Sequence, residues 1–146
     1  MDNRQISFVL SRHAKTRRVF VGCFPSDMIP FKDRYPYAVV VNTDSSARKG
    51  RHWVAIYVPS PSVVEYFDSF GMEPNKNIKD FLKCFHIERR SSEMLQSIFS
   101  DVCGMHCIYF IIKRCSGESF ASIVCHLRRK RCPDSVVKLF CAQLFK

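Results

Sequence analysis

The chain of 146 residues is long enough to bury a substantial hydrophobic core without disulfide bonds, so we expect one domain over residues 1–146. It contains eight cysteines, and its formal net charge is +10 at pH 7. No apolar run has the length of a signal peptide core or a bilayer span, so we expect an intracellular protein with reduced thiols and no membrane contact.

The first third of the chain predicts a short helix followed by two strands. Residues 5–12 have helical character, and residues 18–24 are rich in strand-forming side chains before Pro25 interrupts them. Residues 37–41 are an apolar, mostly β-branched run, which indicates a buried strand. The polar segment 42–51 that follows is predicted to be an exposed loop ending in Gly50.

Two further strands are predicted on either side of a short turn. Residues 52–58 and 63–70 read as strands, and Pro59-Ser60-Pro61-Ser62 separates them. Because the loop is this short, the strands should form an antiparallel hairpin. Depending on the turn, His52 lies opposite either Ser69 or Asp68. In both registers an imidazole and a carboxylate meet at the open end of the hairpin.

The second half of the chain is predicted to be mainly helical. Apolar side chains within residues 74–91 have helical spacing, and residues 94–99 lead into a long apolar helix that Ser100 or Asp101 can cap. The last thirteen residues repeat this pattern with Asp134 or Ser135 as the cap. One face of that last helix carries four apolar side chains: Val136, Val137, Phe140 and Leu144.

Cys103 lies where the long apolar helix is expected to begin. Backbone amides at a helix start are unpaired and carry partial positive charge, so they favour a thiolate. This is the environment that a nucleophilic cysteine requires, whereas a cysteine further along the helix would be inert. Taken alone, Cys103 would more often be a buried structural cysteine.

Three residues that precede Cys103 in the chain complete a candidate catalytic group. His52 can stabilise a thiolate as an imidazolium and later protonate a leaving amine, and Asp68 can hold the ring in orientation. An acyl-transfer site also needs donors for the developing oxyanion. The backbone amide of Cys103 is one such donor, and the side-chain amide of Gln96 is the obvious candidate for the other.

These residues, in this order, resemble those of the adenovirus-type (adenain-like) cysteine endopeptidases. The relatives in virus-like Maverick/Polinton DNA transposons are similar in having aspartate, rather than glutamate, at the position of Asp68. The resemblance covers roughly residues 18–112 and rests on five matching segments: 20–25, 39–43, His52-Trp53, 66–71, and Gln96 followed by 101–107. The C-terminal part beyond residue 113 departs most from the family.

The resemblance implies a fold, an activity and four site residues. The fold would be α+β, with a mixed or antiparallel central sheet flanked by helices and the nucleophile at a helix N-terminus. The activity would be cleavage of structural precursor proteins at glycine-containing sites during maturation of a virus or virus-like transposon. By position, Cys103 would be the nucleophile, His52 the base, Asp68 the orienting carboxylate and Gln96 the oxyanion donor. Trp53 would wall a narrow substrate groove or simply pack in the core.

The resemblance and the charge distribution also bear on partners. Residues 1–35 carry a net charge of +4 and residues 113–146 a net charge of +6, whereas the middle is neutral. Such basic ends suit DNA, which stimulates adenovirus enzymes, but solubility or acidic protein surfaces would also explain them. The run 128–131 is either a DNA-contacting or nuclear-targeting patch or a solvated loop. Cys84 does not match the spacing of the family's disulfide, which argues against a peptide cofactor.

Three alternatives stay open. A protease that removes ubiquitin-like modifiers would share the fold, although this chain has little room for a modifier-binding surface. A catalytically idle DNA-binding relic would share it too. A metal site would use Cys103, His106 and Cys107 with ligands around residues 125–132, but their spacing does not match paired zinc knuckles. We expect no metal, no required cofactor, idle or core roles for the remaining cysteines, and a monomer acting in the host nucleus or the virion.

Overall fold

A five-stranded sheet forms the centre of the protein, as seen in a computed structural model that describes residues 1–47 and 52–146. The strands lie side by side in chain order: β1 (Phe20–Pro25), β2 (Tyr37–Asn42), β3 (Trp53–Ser60), β4 (Val63–Phe67) and β5 (Ile87–Arg90). β1 is parallel to β2 and β5 is parallel to β4, whereas β2, β3 and β4 are antiparallel. The sheet is therefore mixed, which is one of the two alternatives predicted for the α+β fold.

Helices cover the two faces of the sheet unequally. The helices of the described residues are α1 (Asn3–Arg12), α2 (Lys76–Leu82), α3 (Cys103–Cys115), α4 (Phe120–Arg128) and α5 (Pro133–Leu144). Buried side chains of α1, α3, α4 and α5 share one core with one face of the sheet, and those of α2 share a second core with the other face. None of these helices combines the length and apolarity needed to cross a membrane, within the described part of the chain.

The two predicted apolar strands lie at the middle of this arrangement. Residues 37–41 of β2 and 54–58 of β3 are buried throughout, because both faces of the sheet are covered. Side chains alternate between the two cores, so that Val39 and Val41 face α2 while Ala38 and Val40 face the layer of α3. The prediction of a buried strand at 37–41 is confirmed.

α3 is the central helix and is buried nearly all round. It contacts β3 and three other helices, α1, α4 and α5, and residues 106–112 are all buried. Its first residue is Cys103, as predicted. The predicted cap is wrong, because Val102 occupies the N-cap position and no side chain caps the helix there. The side chains of Ser100 and Asp101 therefore make no capping hydrogen bond to the amides of the first turn of α3.

Other predictions are confirmed only in part. The helix at residues 5–12 and the antiparallel hairpin of β3 and β4 are confirmed, but β4 ends at Phe67 rather than at residue 70. Residues 43–47 are partly or fully exposed, as expected for the loop 42–51. The rest of that loop, including Gly50, lies outside the described residues.

Two elements were not predicted, and a second predicted cap, that of α5, was also wrong. β5 is an edge strand with charged side chains, and α4 lies between the two predicted helices. α5 carries its predicted apolar face, with Val137 buried, but its N-cap is Cys132 and no side chain caps it. The carboxylate of Asp134 contacts His106 of α3 instead of capping α5. A single domain over residues 1–146 stays a prediction.

Candidate active site

A cavity of about 270 Å³ opens beside the N-terminus of α3. Its walls come from β3 and the residue before it, from the turn after β4, from the segment before α3 and from the residue Met1 that precedes α1. The lining residues are Met1, His52, Trp53, Phe70, Gln96, Ser100, Asp101 and Cys103. Three of the four predicted site residues therefore line one cavity, and the fourth, Asp68, contacts it through His52.

The Cys103 thiol is buried at the first turn of α3. Burial raises the pKa of this thiol. Hydrogen bonds with the His52 side chain and with the backbones of Trp53 and Gly104, together with the charge of His52, lower the pKa by more than burial raises it. The net result is a pKa below the usual value for a thiol. A thiolate therefore forms at lower pH here than in an ordinary cysteine.

The His52 ring is held by the carboxylate of Asp68. The Nε2 atom of His52 lies 2.6 Å from Oδ1 of Asp68, which is 2% exposed. Burial lowers the pKa of His52, but hydrogen bonds and charges of Asp68 and Cys103 raise it to about 9. Because Asp68 occupies Nε2, the other ring nitrogen is left to exchange a proton with the thiol.

The register of the hairpin corrects both predicted alternatives. Ala55 pairs with Phe67, and the pairing shifts between Tyr57 and Ser60. Continued to the open end, this register places His52 opposite Phe70 rather than opposite Asp68 or Ser69. The centroids of the His52 and Phe70 rings are 4.7 Å apart. The irregularity near the turn was not visible in the apolar pattern, and it moved the register.

Asp68 reaches His52 because the chain turns directly after β4. Oδ1 of Asp68 accepts a hydrogen bond of 2.9 Å from the amide of Phe70, and its carbonyl accepts one of 2.9 Å from the amide of Gly71. Gly71 has φ +64, and an added Cβ would lie 2.6 Å from the backbone of Glu93. A turn that needs glycine thus aims the carboxylate.

Gln96 is buried beside the same cavity, and both ends of its amide are held. Its Oε1 accepts a 2.6 Å hydrogen bond from the Ser69 hydroxyl, and its Nε2 donates to the carbonyl of Ser100 at 3.0 Å. The NH₂ group has a second hydrogen, so it can still donate to a bound oxygen. The unpaired amide of Cys103 offers a second donor at the start of the helix.

The packing role considered for Trp53 is seen in the structure, and its role as a wall of a substrate groove stays a prediction. Its side chain packs against the core that contains α3, and it also lines the cavity of Cys103. Trp53 also lines a second cavity of about 280 Å³, together with Cys23, Asn42, Asp44 and neighbouring residues. Trp53 thus contributes to the walls of both cavities.

Comparisons with known proteins identify viral relatives. No protein-family model matches the chain. An Acanthamoeba polyphaga mimivirus protein named "Putative thiol protease R355" is 32% identical over 99 residues, which span 60% of this chain and 32% of that protein. The protease of fowl adenovirus A serotype 1 (strain CELO / Phelps) is 28% identical over 120 residues, spanning 70% of this chain and 57% of the relative. The chain thus covers less than two thirds of either relative.

The fold has a counterpart among solved structures. A crystal structure of the ASFV pS273R protease matches the whole chain with a TM-score of 0.68 at 22% identity, over 68% of its own length. The chain has the fold of that protease. Together with the two sequence relatives, this supports the resemblance to adenovirus-type proteases.

A buried pair that the sequence did not predict lies one turn along α3 in this protease fold. Nε2 of His106 lies 2.8 Å from Oδ1 of Asp134 in α5, and both residues are buried. Nδ1 of His106 has no hydrogen-bond partner among the described residues. Asp134 was one of the two predicted caps of α5, with Ser135, and its use here is a correction. The three-residue spacing from Cys103 to His106 was visible in the sequence, but it was considered only for metal binding.

The remaining cysteines differ in their surroundings. Cys107 and Cys141 are buried, and burial raises the pKa of both thiols, which agrees with the predicted core role. All eight cysteines, which lie within the described residues, are free thiols. Within the same residues no group of three or more His, Cys, Asp or Glu side chains is arranged to hold a metal ion.

Proposed function

We propose that this chain is a cysteine endopeptidase that acts on protein substrates through an acyl-enzyme at Cys103. The single observation that carries the proposal is the His52–Asp68 contact of 2.6 Å at the cavity that contains Cys103. It supplies a charged imidazole next to a thiol of lowered pKa. The names of the viral relatives, a thiol protease and a protease, support the same activity.

The proposed reaction proceeds in two steps. In the first, the Cys103 thiolate attacks the scissile carbonyl carbon, and the oxyanion accepts hydrogen bonds from the Cys103 amide and from Gln96. The His52 imidazolium then gives its proton to the leaving amine as the C–N bond breaks. In the second step, neutral His52 takes a proton from water, whose oxygen attacks the thioester and releases the carboxylic acid and the thiolate.

We propose that the substrates are structural precursor proteins cut at glycine-containing sites, in the host nucleus or in the virion. Trp53 lines the cavity of Cys103, and an indole there supports a preference for small side chains because it takes up space next to the thiol. The viral origin of the relatives supports a role in virion maturation. Kinship with the proteases of DNA transposons stays a prediction.

Contact with DNA is a further part of the proposal, with the protease acting as a monomer. Both ends of the chain contribute basic residues to the helical layer on one face of the sheet, since α1, α4 and α5 share one core. Arg4 and Arg12 of α1 are exposed, and so are the four residues of the basic run 128–131. This placement supports electrostatic contact with a polyanion, whose affinity would fall steeply with salt.

The activity is tested by turnover of a glycine-containing peptide. The wild-type protein should cleave it, and Cys103→Ala and His52→Ala should each abolish cleavage. Cys84→Ala is the matched control, because Cys84 is exposed and follows α2, which packs on the face of the sheet opposite to α3. Lack of turnover by the wild type together with salt-dependent DNA binding would favour the idle relic instead.

A further inference from the structure

The carboxylate of Asp134 joins three separate parts of the protein. From the first turn of α5, its Oδ1 contacts Nε2 of His106 on α3 at 2.8 Å. Its Oδ2 accepts a hydrogen bond of 3.2 Å from the backbone amide of Ser97, the residue directly after Gln96. A buried side chain of α5 is thereby connected to the segment that carries the proposed oxyanion donor.

The segment 95–100 depends on such contacts because it has no regular secondary structure. On one side it is held through Leu95, which is buried, and through hydrogen bonds of the Leu95 and Gln96 amides to the carbonyl of Ser69. On the other side Ile98 and Phe99 are exposed, so apolar packing does not hold them. The bond to Asp134 is therefore the anchor immediately after Gln96.

The pair is suited to hold position rather than to transfer protons. Burial lowers the pKa of His106, and the lone pair at Nδ1 without a partner is consistent with a neutral ring that donates from Nε2. Hydrogen bonds from His106 and Ser97 help to lower the pKa of Asp134 against the effect of burial. Asp134 thus stays a carboxylate, with both oxygens free to accept.

We propose that Asp134 is a positioning residue, which through the Ser97 amide and His106 fixes Gln96 relative to the start of α3. This rests on the proposed function. A donor aimed at an oxyanion contributes only if it is already in place, and a displacement of about 1 Å can cost about a hundredfold in rate. Loss of Asp134 lets the segment 95–100 move, so transition-state stabilisation falls while the thiolate–imidazolium pair is retained.

The proposal makes a selective prediction for Asp134→Ala. The value of kcat should fall about ten- to a hundredfold while KM changes little, because the donor acts on the oxyanion. The rate of Cys103 alkylation should stay within about twofold of wild type, because His52 and Asp68 belong to other elements. Asp134→Asn should lie between wild type and Asp134→Ala, because one oxygen can still accept from Ser97. Ser135→Ala, an exposed neighbour on α5, is the control and should leave kcat unchanged.

A double variant separates positioning from general loss of structure. If Asp134 acts through Gln96, adding Asp134→Ala to Gln96→Ala should reduce kcat by less than about threefold further. Full additivity of the two losses would overturn the proposal. So would an Asp134→Ala variant that unfolds at lower temperature with kcat unchanged.

Hydrogen exchange tests the proposal without activity. Backbone amides of residues 95–100 should exchange at least about tenfold faster in Asp134→Ala and by a smaller factor in Asp134→Asn, with β3 unchanged. Unchanged exchange in this segment would overturn the positioning role even in a protein that cleaves peptides. Absence of turnover in the wild type would instead count against the proposed function, and the exchange result would still decide the role of Asp134.

Discussion

Nε2 of His52 lies 2.6 Å from Oδ1 of Asp68, although continued pairing of the hairpin places His52 opposite Phe70. The contact comes from a turn and not from the strand ladder. Asp68 follows the last residue of β4, and its carboxylate also accepts from the amide of Phe70. The orientation of the imidazole therefore depends on the geometry of the turn 68–71.

Cys103 should be the fastest of the eight thiols to react with iodoacetamide at neutral pH. Its pKa is lowered by groups that include the His52 charge, whereas burial raises the pKa of Cys107 and Cys141. The strongest competitor is Cys132, which is exposed and whose pKa is lowered by Ser135. We expect labelling of Cys103 to be at least about tenfold faster, measured by peptide mass spectrometry over time.

Variants show which cysteine is responsible for the fast phase of labelling. Cys103→Ala and His52→Ala should remove it, whereas Cys132→Ala should keep it. Equal labelling rates for Cys103, Cys84 and Cys132 would contradict an activated nucleophile.

Asp68→Asn should move the alkaline limb of the pH profile to lower pH. In the wild type, kcat/KM rises as the pH passes the lowered pKa of Cys103 and falls as it passes the His52 pKa of about 9. Asp68 raises the pKa of His52, so a neutral amide lets the imidazolium lose its proton at lower pH. We also expect the maximum of kcat/KM to fall about a hundredfold, because the ring loses its orienting partner.

The control for this measurement is Asp80→Asn, an exposed carboxylate on α2. It should leave the alkaline limb in place. An unchanged limb in Asp68→Asn would show that Asp68 does not set the protonation of His52.

Glu65→Ala should be among the most destabilising substitutions away from the site. The Glu65 side chain is buried and holds Arg114 of α3 at 2.7 Å and Arg89 of β5 at 2.9 Å. Removal of a buried partner leaves Arg114, which is mostly buried, without its counter-charge. The free energy of unfolding, measured in urea, should fall by about 3–5 kcal/mol.

Glu73→Ala is the matched comparison, because Glu73 also contacts an arginine, Arg90, but its side chain is 71% exposed. The loss there should be no more than about 1 kcal/mol. A similar decrease in the free energy of unfolding in the two variants would mean that the buried ion pairs of Glu65 stabilise the protein no more than the exposed ones of Glu73.

Gly71→Ala should destabilise the protein more than Gly117→Ala. Both glycines have positive φ, +64 and +98, so alanine costs about 1–2 kcal/mol of backbone strain at either position. Only at Gly71 would the new Cβ also meet the Glu93 backbone, at 2.6 Å. The melting temperature should therefore fall further in Gly71→Ala. Turnover should fall as well. The new Cβ forces the turn that orients Asp68 away from the segment that leads to Gln96, so both side chains lose their positions.

Gly117→Ala, where no atom lies within 4 Å of the added Cβ, should keep wild-type turnover. If Gly71→Ala proved as mild as Gly117→Ala in both measurements, the close packing of turn and segment would not be required.

Local patterns in the sequence determined the elements that carry the site. The apolar runs of β2, β3 and α3 and the short Pro-rich turn were enough to predict a hairpin and a central helix, with Cys103 at the helix start. These features depend on neighbouring residues, whose side-chain periodicity can be read directly. The hairpin alone brought His52 and Asp68 to the same end of the sheet.

Contacts between distant residues decided the rest. The strand β5 has no apolar alternation, and it is a strand because it pairs with β4. The shift between Tyr57 and Ser60 set the register, and α5 brought Asp134 to His106 and to the Ser97 amide. None of these depends on local propensity, because each arises only when elements far apart in the chain pack together and must satisfy their buried polar groups.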